Sequence, residues 1–568
     1  MENFKLVECV PNFSEGRDMS VIKQITDAIE TVDGIKLLNV DPGFATNRTV
    51  VTFVGAPENV VEAAFRAVRK ASELIDMRRH KGAHPRLGAT DVLPFIPIAN
   101  ITLEECAQLA RSLAKRVYEE LGIPTYNYEA AANRPERRNL AVVRRGEYEF
   151  LHKRMSDPKD APDFGPATFT EQAAKSGATI IGARDFLIAA NYNLNTTSTR
   201  RANAIAFDVR EKGRPQREGG RPNGKPMKDA NGNIIMIPGT LKGTKAIGWY
   251  IDEYGIAQVS MNITDIKTAP LHIAFEEVSR AAAARGVRVT GTEIVGLIPL
   301  NSLLEAGKYF LRKQQRSVGV SQSELLKIAI KSLGLSDLTP FKPEEKIIEY
   351  LMAKDDTAKK LVDMTCKAFA EETASESPAP GGGSIAAYAG ALGAALGAMV
   401  ANLSSHKSGW DDKWETFSNT AEEGQKIMAE LLGLVDEDTA AFNKIMAVFA
   451  MPKETDGDKT ARAAALEAAT LYATKVPLRT MQASLKVFNI VKEMALNGNP
   501  NSVSDAGVGA LMARSAVLGA DMNVRINAAG LKDKAAAKKL IDEAAKIVKE
   551  AQALEREVLE IVNKKIMG

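Results

Sequence analysis

The hydrophobic period of this chain changes character near residue 330, and no single packed layer can serve both sides of that change. Before it, short β-branched runs alternate with amphipathic stretches. "KLVECVPNF" (5–13), "IKLLNV" (35–40), "RTVVTFVGA" (48–56) and "DVLPFIPI" (91–98) read as strands. Residues 20–32, 57–75 and 102–121 between them carry apolar residues at helical spacing. Pro57 suits the first turn of its helix, where a missing N–H costs nothing. A similar order returns after residue 180. A strand region in "ATIIGARDFLIAANYNL" precedes a helix over 197–212, and "GWYIDEYGIAQVSMNITDI" reads as a hairpin turning near Glu253–Gly255. A helix over 270–285 and a last strand in "VRVTGTEIVGLIP" complete it. From about residue 345 the strands vanish and Ala-rich helical patterns run to the end. The expected fold is multidomain: two α+β subdomains of α/β-sandwich type, then an all-α domain. The expected boundaries are 1–180, 181–327, a linker at 328–345, and 346–568.

Bulk properties agree with several soluble domains. A chain of 568 residues exceeds one ordinary core. An apolar fraction of 45% with 26% charged residues is that of a globular protein. The net charge of +3 is no polyanion-binding signature, so an anionic ligand must be met by local patches. Cys9, Cys106 and Cys366 are odd in number and share no metal-ligand spacing, which fits a reducing, cytoplasmic setting. The N-terminus has no basic start followed by an apolar run. The uncharged stretch from Ser377 to Ser405 is mostly Ala and Gly, which supply little membrane transfer energy. It reads as a buried helix of a soluble bundle, in which Gly393 and Gly397 let backbones approach closely.

Two of the five histidines stand in "RRHKGAHPRLGATD" (78–91), where Arg78, Arg79, Lys81 and Arg86 surround His80 and His84. An HxxxH pair binds zinc when both residues share a helix face. Gly82 and Pro85 interrupt a helix here, and four cations oppose a divalent ion, so no metal is expected. Two readings remain: an inert basic surface loop, or a docking site for carboxylates whose charge holds one histidine neutral and basic near pH 7. A neutral imidazole beside an amine substrate suits general acid–base work.

"LVECVPNFSEG" (6–16), "NVDPG" with "TNRTVVTFVG" (39–55), "IDMRRHKGAHPRLGATDV" (75–92), "PDFGP" (162–166) and "GWYIDE" (248–253) resemble the glutamate formimidoyltransferase family over about the first 325 residues. The resemblance implies transfer of a formimino group from N-formimino-L-glutamate to N5 of tetrahydrofolate. It makes His84 the catalytic proton carrier and leaves His80 structural. Asp41 matches an active-site aspartate expected to orient His84 or the amine, and its plain alternative is a turn residue. Arg48 is a candidate grip for a substrate carboxylate, with an ordinary ion pair as the alternative. The folate-contacting loop maps onto Gly165, Pro166, Ala167, Thr168, Phe169, Thr170 and Gly177, where this chain is longer than the family pattern.

"SPAPGGGSIAAYAGALGAALGAMV" (377–400) lacks the GK[ST] of a phosphate-binding loop and has no preceding strand, so no nucleotide is expected. Three glycines ahead of a helix still suit an anionic or polar ligand. "APGGGS" (379–384), "GAALGAMV" (393–400), "LVDEDTAAF" (434–442) and "NSVSDAGVGA" (501–510) resemble the formiminotetrahydrofolate cyclodeaminase family over about 347–550. That implies closure of 5-formiminotetrahydrofolate to 5,10-methenyltetrahydrofolate with release of ammonia, and Asp438 as the acid–base group. Without the resemblance, Asp436 and Asp438 read as two exposed acids on a helix. Asp505 carries no assigned role.

Joined in one chain, the two resemblances imply a bifunctional enzyme of histidine breakdown and one-carbon metabolism. Its substrates are N-formimino-L-glutamate and tetrahydrofolate, the latter polyglutamylated, with no metal or nucleotide. Residues 210–245 hold nine bases against three acids, and the part "RPQREGGRPNGKPMKDANGN" reads as a mobile loop. Either the loop steers the anionic folate tail through Arg217, Arg221 and Lys225, or it is simply solvated. Family resemblance also implies a homo-oligomer of dimers in a larger ring; charge balance and 6% aromatics argue against nucleic acid, and Ala/Gly composition against a membrane span. Rival readings are a formyltransferase using N-formylglutamate, and a non-catalytic folate-binding scaffold.

Overall fold

The computed structural model describes residues 5–220, 224–353 and 360–567. Seven strands form the first sheet: β1 (Leu6–Cys9), β2 (Asn12–Phe13), β3 (Lys36–Gly43), β4 (Arg48–Gly55), β5 (Thr90–Ala99), β6 (Thr125–Glu129) and β7 (Thr179–Ala183). Their order is β3–β4–β1/β2–β5–β7–β6, antiparallel except for the parallel pairs β5–β7 and β6–β7. The run expected at 5–13 is two strands, because Pro11 has no N–H for the ladder. Helices Met19–Glu30, Pro57–Leu74 and Leu103–Leu121 cover one face and bury Val7, Cys9, Val51, Phe53, Leu93 and Phe95. Their starts follow local chemistry: Asp18 caps the first, Pro57 opens the second, and Thr102 with Glu105 forms a capping box on the third.

The second sheet has strands β8 (Ile188–Leu194), β11 (Thr244–Ile251), β12 (Ile256–Ile263) and β13 (Val289–Val295), and all its pairings are antiparallel. The two-residue strands β9 (Arg214–Pro215) and β10 (Met236–Ile237) form a ribbon in the connection before β11. Helices Thr199–Val209 and Leu271–Ala283 pack on this sheet. The boundary expected at residue 180 falls inside β7, which pairs with β5 and β6 of the first sheet. Composition marked a strand there, but which sheet receives a strand is a long-range outcome.

The basic stretch 210–245 is not a bare loop. Backbone bonds from Gln216 to Ile235 and from Met227 to Gln216 extend the ribbon, and Arg217 Nη1 donates to Gly224 O at 2.8 Å. Arg221 lies outside the described residues.

Five long helices make the α-helical part: Gly382–Ser405, Trp414–Phe449, Asp456–Asn497, Val503–Ala529 and Lys534–Ile566. Thr455 with Asp458, and Asp533, cap the third and fifth. The Ala/Gly-rich Gly382–Ser405 is long and apolar enough to cross a membrane, yet 61% of its most apolar window is buried inside the protein. Its alanines contribute to one core with Leu431, Val435, Phe488, Val491, Val517 and Val524. The chain divides into two compact units, 1–306 with 329–355 and 307–328 with 356–568. Of the connector expected at 328–345, all but its first residue falls in the first unit.

Candidate active sites

The loop carrying His84 is pinned at both ends. Asp76 folds its start by accepting from Arg78 N (3.1 Å) and Arg78 Nε (2.9 Å). Its exit is held by Ser14 Oγ, which donates to Gly88 O at 2.7 Å, and by Ala89 N, which donates to Ser176 O at 2.7 Å. His80 uses both ring nitrogens on protein: Nε2 lies 2.8 Å from Asn47 O, and Nδ1 accepts from Arg86 Nε at 3.2 Å. His84 is half-buried, and its Nδ1 lies 2.7 Å from Pro85 O. A carbonyl only accepts, so Nδ1 carries the hydrogen of the neutral ring and Nε2 the lone pair. Burial, then the Arg48 and Arg144 charges, push the His84 pKa down to about 3.

Those two cations are not the ones beside His84 in sequence. Arg78 is paired with Asp76 and Glu171, and Arg86 with Glu147 and Glu149. Arg48, expected to grip a substrate carboxylate, is itself buried. It gives Nε to Asn12 Oδ1 at 3.1 Å and Nη1 to Asp91, which also takes Arg144 Nη2 at 2.7 Å and Leu87 N at 2.8 Å. Burial alone would raise the Asp91 carboxyl, but the Arg144 and Arg48 charges bring it down to about 2. The Asp91–Arg48–Arg144 cluster is the part of this site that sequence reasoning missed. Asp91 was visible only as an acid ending the motif, and nothing local marks Arg144, 53 positions away. A cleft of about 560 Å³ opens beside the loop, lined by Lys81, Gly82, Arg86, Glu147, Glu149 and Phe150 among others.

Asp41 Oδ2 accepts from Gly296 N at 2.8 Å, with Lys346 Nζ at 3.9 Å, and its charge acts on Tyr254. In the 165–177 loop, Ala167, Thr168 and Phe169 are exposed, while Gly165 and Pro166 are half-buried. Thr170 caps the short helix Glu171–Ser176. Gly177 has φ +68°, and a Cβ there would lie 2.3 Å from Leu87 O, so the end of this loop packs directly on the exit of the His84 loop. Glu8 is a further buried ionisable group that sequence reasoning passed over: burial pushes its carboxyl up to about 7 against the opposing charge of Arg184.

In the α-helical unit the three acids of "VDED" lie on helix Trp414–Phe449, and each has a separate task. Asp436 accepts from Leu361 N at 2.6 Å, and Glu437 from Tyr472 Oη at 2.8 Å and Arg479 Nη1 at 2.6 Å. Asp438 is half-buried and takes the Ser384 hydroxyl at 3.1 Å as well as the Ser384 backbone N–H. The reading as exposed acids gives way to three engaged carboxyls. Burial raises the Asp438 pKa, and the Ser384 bonds pull it partly back. A Cβ on Gly383 would sit 2.2 Å from Asp438 Oδ1. Gly383 thus admits the Asp438 carboxylate to the N-terminus of helix Gly382–Ser405, where unpaired N–H groups and the helix dipole receive it. Among the described residues, no group of three His, Cys, Asp or Glu side chains converges as a metal site would require.

Family models match three stretches. "Formiminotransferase domain, N-terminal subdomain" covers residues 6–184, "Formiminotransferase domain" 189–353, and "Formiminotransferase-cyclodeaminase" 365–546. The Gallus gallus formimidoyltransferase-cyclodeaminase is 42% identical over 93% of this chain and 93% of its own length. A glutamate formimidoyltransferase of Thermoplasma acidophilum is 43% identical over 54% of this chain and 92% of its own. A methenyltetrahydrofolate cyclohydrolase of Methylorubrum extorquens is 37% identical over 36% of this chain and 97% of its own. The first two models meet at residues 184 and 189, where β7 ends and β8 begins. Fold and likeness together define a bifunctional enzyme, a transferase built on two α+β subdomains joined to an α-helical lyase. The chain belongs to the formimidoyltransferase-cyclodeaminase family.

Proposed function

We propose that the first unit moves the formimino group of N-formimino-L-glutamate onto N5 of tetrahydrofolate, and that the helical unit closes the product to 5,10-methenyltetrahydrofolate and frees ammonia. The observation that carries the first step is the neutral His84 ring with its lone pair on Nε2. As N5 attacks the formimino carbon, Nε2 takes the N5 proton. It returns a proton to the glutamate nitrogen, which is too basic to leave as an anion. Asp91 with Arg48 and Arg144 holds this environment. Arg48 takes the role of anchoring Asp91 and keeping the ring neutral, rather than gripping substrate. Asp41 holds the substrate amine from the Gly296 side, and the 165–177 loop contacts folate.

In the second step N10 attacks the same carbon and gives its proton to Asp438. Asp438 then protonates the departing nitrogen, which leaves as ammonia. Its raised pKa supports both halves of that exchange. The acceptor is polyglutamylated and the setting is cytoplasmic histidine breakdown. Lys225 and Lys228 of the 210–245 stretch are the better candidates to meet the tail, because Arg210, Arg214, Arg217 and Lys245 already contact protein groups. A homo-oligomer is supported by exposed Ile385, Leu392, Met399 and Leu403 along one helix and Val508, Leu511, Met522 and Ile526 along a packed neighbour. The purified chain, given formiminoglutamate and tetrahydrofolate, should produce methenyl absorbance and ammonia. Formation of 5-formyltetrahydrofolate from N-formylglutamate at a higher rate would overturn the donor assignment.

A further inference from the structure

Ser384 occupies the third position of helix Gly382–Ser405, and its residue is 0% exposed. Its hydroxyl has one hydrogen and two good acceptors: Val435 O at 2.9 Å and Asp438 Oδ2 at 3.1 Å. Thr439 Oγ1 lies at 3.5 Å. A hydroxyl donates one bond while accepting others, so the two acceptors compete for its hydrogen. An ionised Asp438 can only accept, and Ser384 then donates to it. A protonated Asp438 can donate from Oδ2 to Ser384 Oγ, which frees the Ser384 hydrogen for Val435 O. Each state is hydrogen-bonded, and only the hydroxyl rotates between them. The Ser384 backbone N–H can only donate, so it favours the ionised carboxylate alone. Gly383 leaves the carboxyl no lateral barrier at this point, and the side chain can rest against the helix end in both states.

We infer that Ser384 is a positioning residue for the cyclisation step, reversing the direction of its hydrogen bond each time Asp438 gains or loses a proton. The carboxyl thereby keeps one orientation while it collects the N10 proton and delivers one to the leaving nitrogen. This rests on the assignment of Asp438 as the proton carrier. The hydroxyl makes both protonation states of one rotamer accessible, where an apolar residue would leave the neutral state without an acceptor.

The test supplies 5-formiminotetrahydrofolate directly to full-length protein and follows methenyl formation from acid to alkaline pH. Ser384→Ala removes a donor from the ionised carboxylate, so the acid limb of the kcat profile should move up by roughly one pH unit or more. Its kcat should fall by about tenfold or more with KM within a factor of about two, since substrate contacts are untouched. Ser384→Thr, which keeps the hydroxyl, should return the limb to its original position. Ser384→Cys, similar in size but a weak donor, should lie between. Helical circular dichroism and the melting temperature establish that each variant is folded. A Ser384→Ala profile superposed on that of the unaltered enzyme, or a folded Thr variant no better than Ala, overturns the inference. If Asp438→Asn still cyclises at full rate, the Asp438 assignment itself is wrong. If that variant is inactive while Ser384→Ala is unshifted, only the Ser384 role is lost.

Discussion

Folding shifts His84 and Asp438 in the same electrical direction from opposite starting points. One is an imidazole on the loop between helix Pro57–Leu74 and β5, the other a carboxyl within a long helix. Burial is the largest influence on both, and it disfavours whichever form is charged. The imidazole is therefore pushed down and the carboxyl up, and both move toward neutrality. The surroundings then differ in sign. At His84 the buried Arg48 and Arg144 add to the effect of burial, while at Asp438 the Ser384 donors oppose it. The first site is built to keep a base free of its proton. At the second, donors to the carboxylate work against burial.

The comparison breaks most directly by removing each carrier in turn. His84→Ala should lower glutamate release from formiminoglutamate by about 10²- to 10⁴-fold while cyclisation of supplied 5-formiminotetrahydrofolate continues. Asp438→Asn should do the converse and let the 5-formimino compound accumulate. Loss of both activities in either variant would mean that the sites are not separate. Next in size, Asp91→Ala leaves two buried guanidiniums without their shared partner and should cost about 3–5 kcal/mol in urea unfolding of the first unit. A fall below about 1 kcal/mol would show the cluster to be dispensable for stability.

A smaller and more selective effect is expected of Gly383→Ala. The new Cβ displaces the Asp438 carboxylate, so cyclisation should fall by about 10²-fold while transfer is unchanged. Equal rates would show that the glycine is not needed for that approach. The smallest effect is one of pH. Glu8 is raised from 4.5 to about 7 in the folded chain. Its neutral form stabilises the fold below pH 4.5, and that contribution is lost as pH rises through about 7. Glu8→Gln should therefore raise the melting temperature at pH 8 by roughly 2–5 °C and change it little at pH 4. A gain at pH 4 as large as that at pH 8 would contradict the shift. Transferase kcat/KM should show no inflection at the ordinary histidine pKa of 6.5, because His84 is already neutral there.

Much of the architecture was legible before any coordinates. The β-branched run "RTVVTFVG", helical spacing after Pro57 and the loss of strands beyond residue 345 are short-range signals, and each produced the element expected. The candidate residues His84 and Asp438 were singled out as well, because they stand in dense, recognisable motifs. What the sequence left out shares one cause. The ion pair that holds Arg48 was invisible because its partner Asp91 is 43 residues away. The Gly296 N–H bonded to Asp41 lies 255 positions on. The carboxylate against Gly383 comes from another helix.

Period, capping and residue chemistry act over a few neighbouring positions, so the order of helices and strands follows from the chain alone. Which sheet receives β7, which cations surround His84 and which anion rests on the glycine-led helix depend on residues dozens to hundreds of positions apart meeting after packing. Both pKa shifts belong to that second group, because the removal of water that drives them exists only once the chain has folded around each side chain.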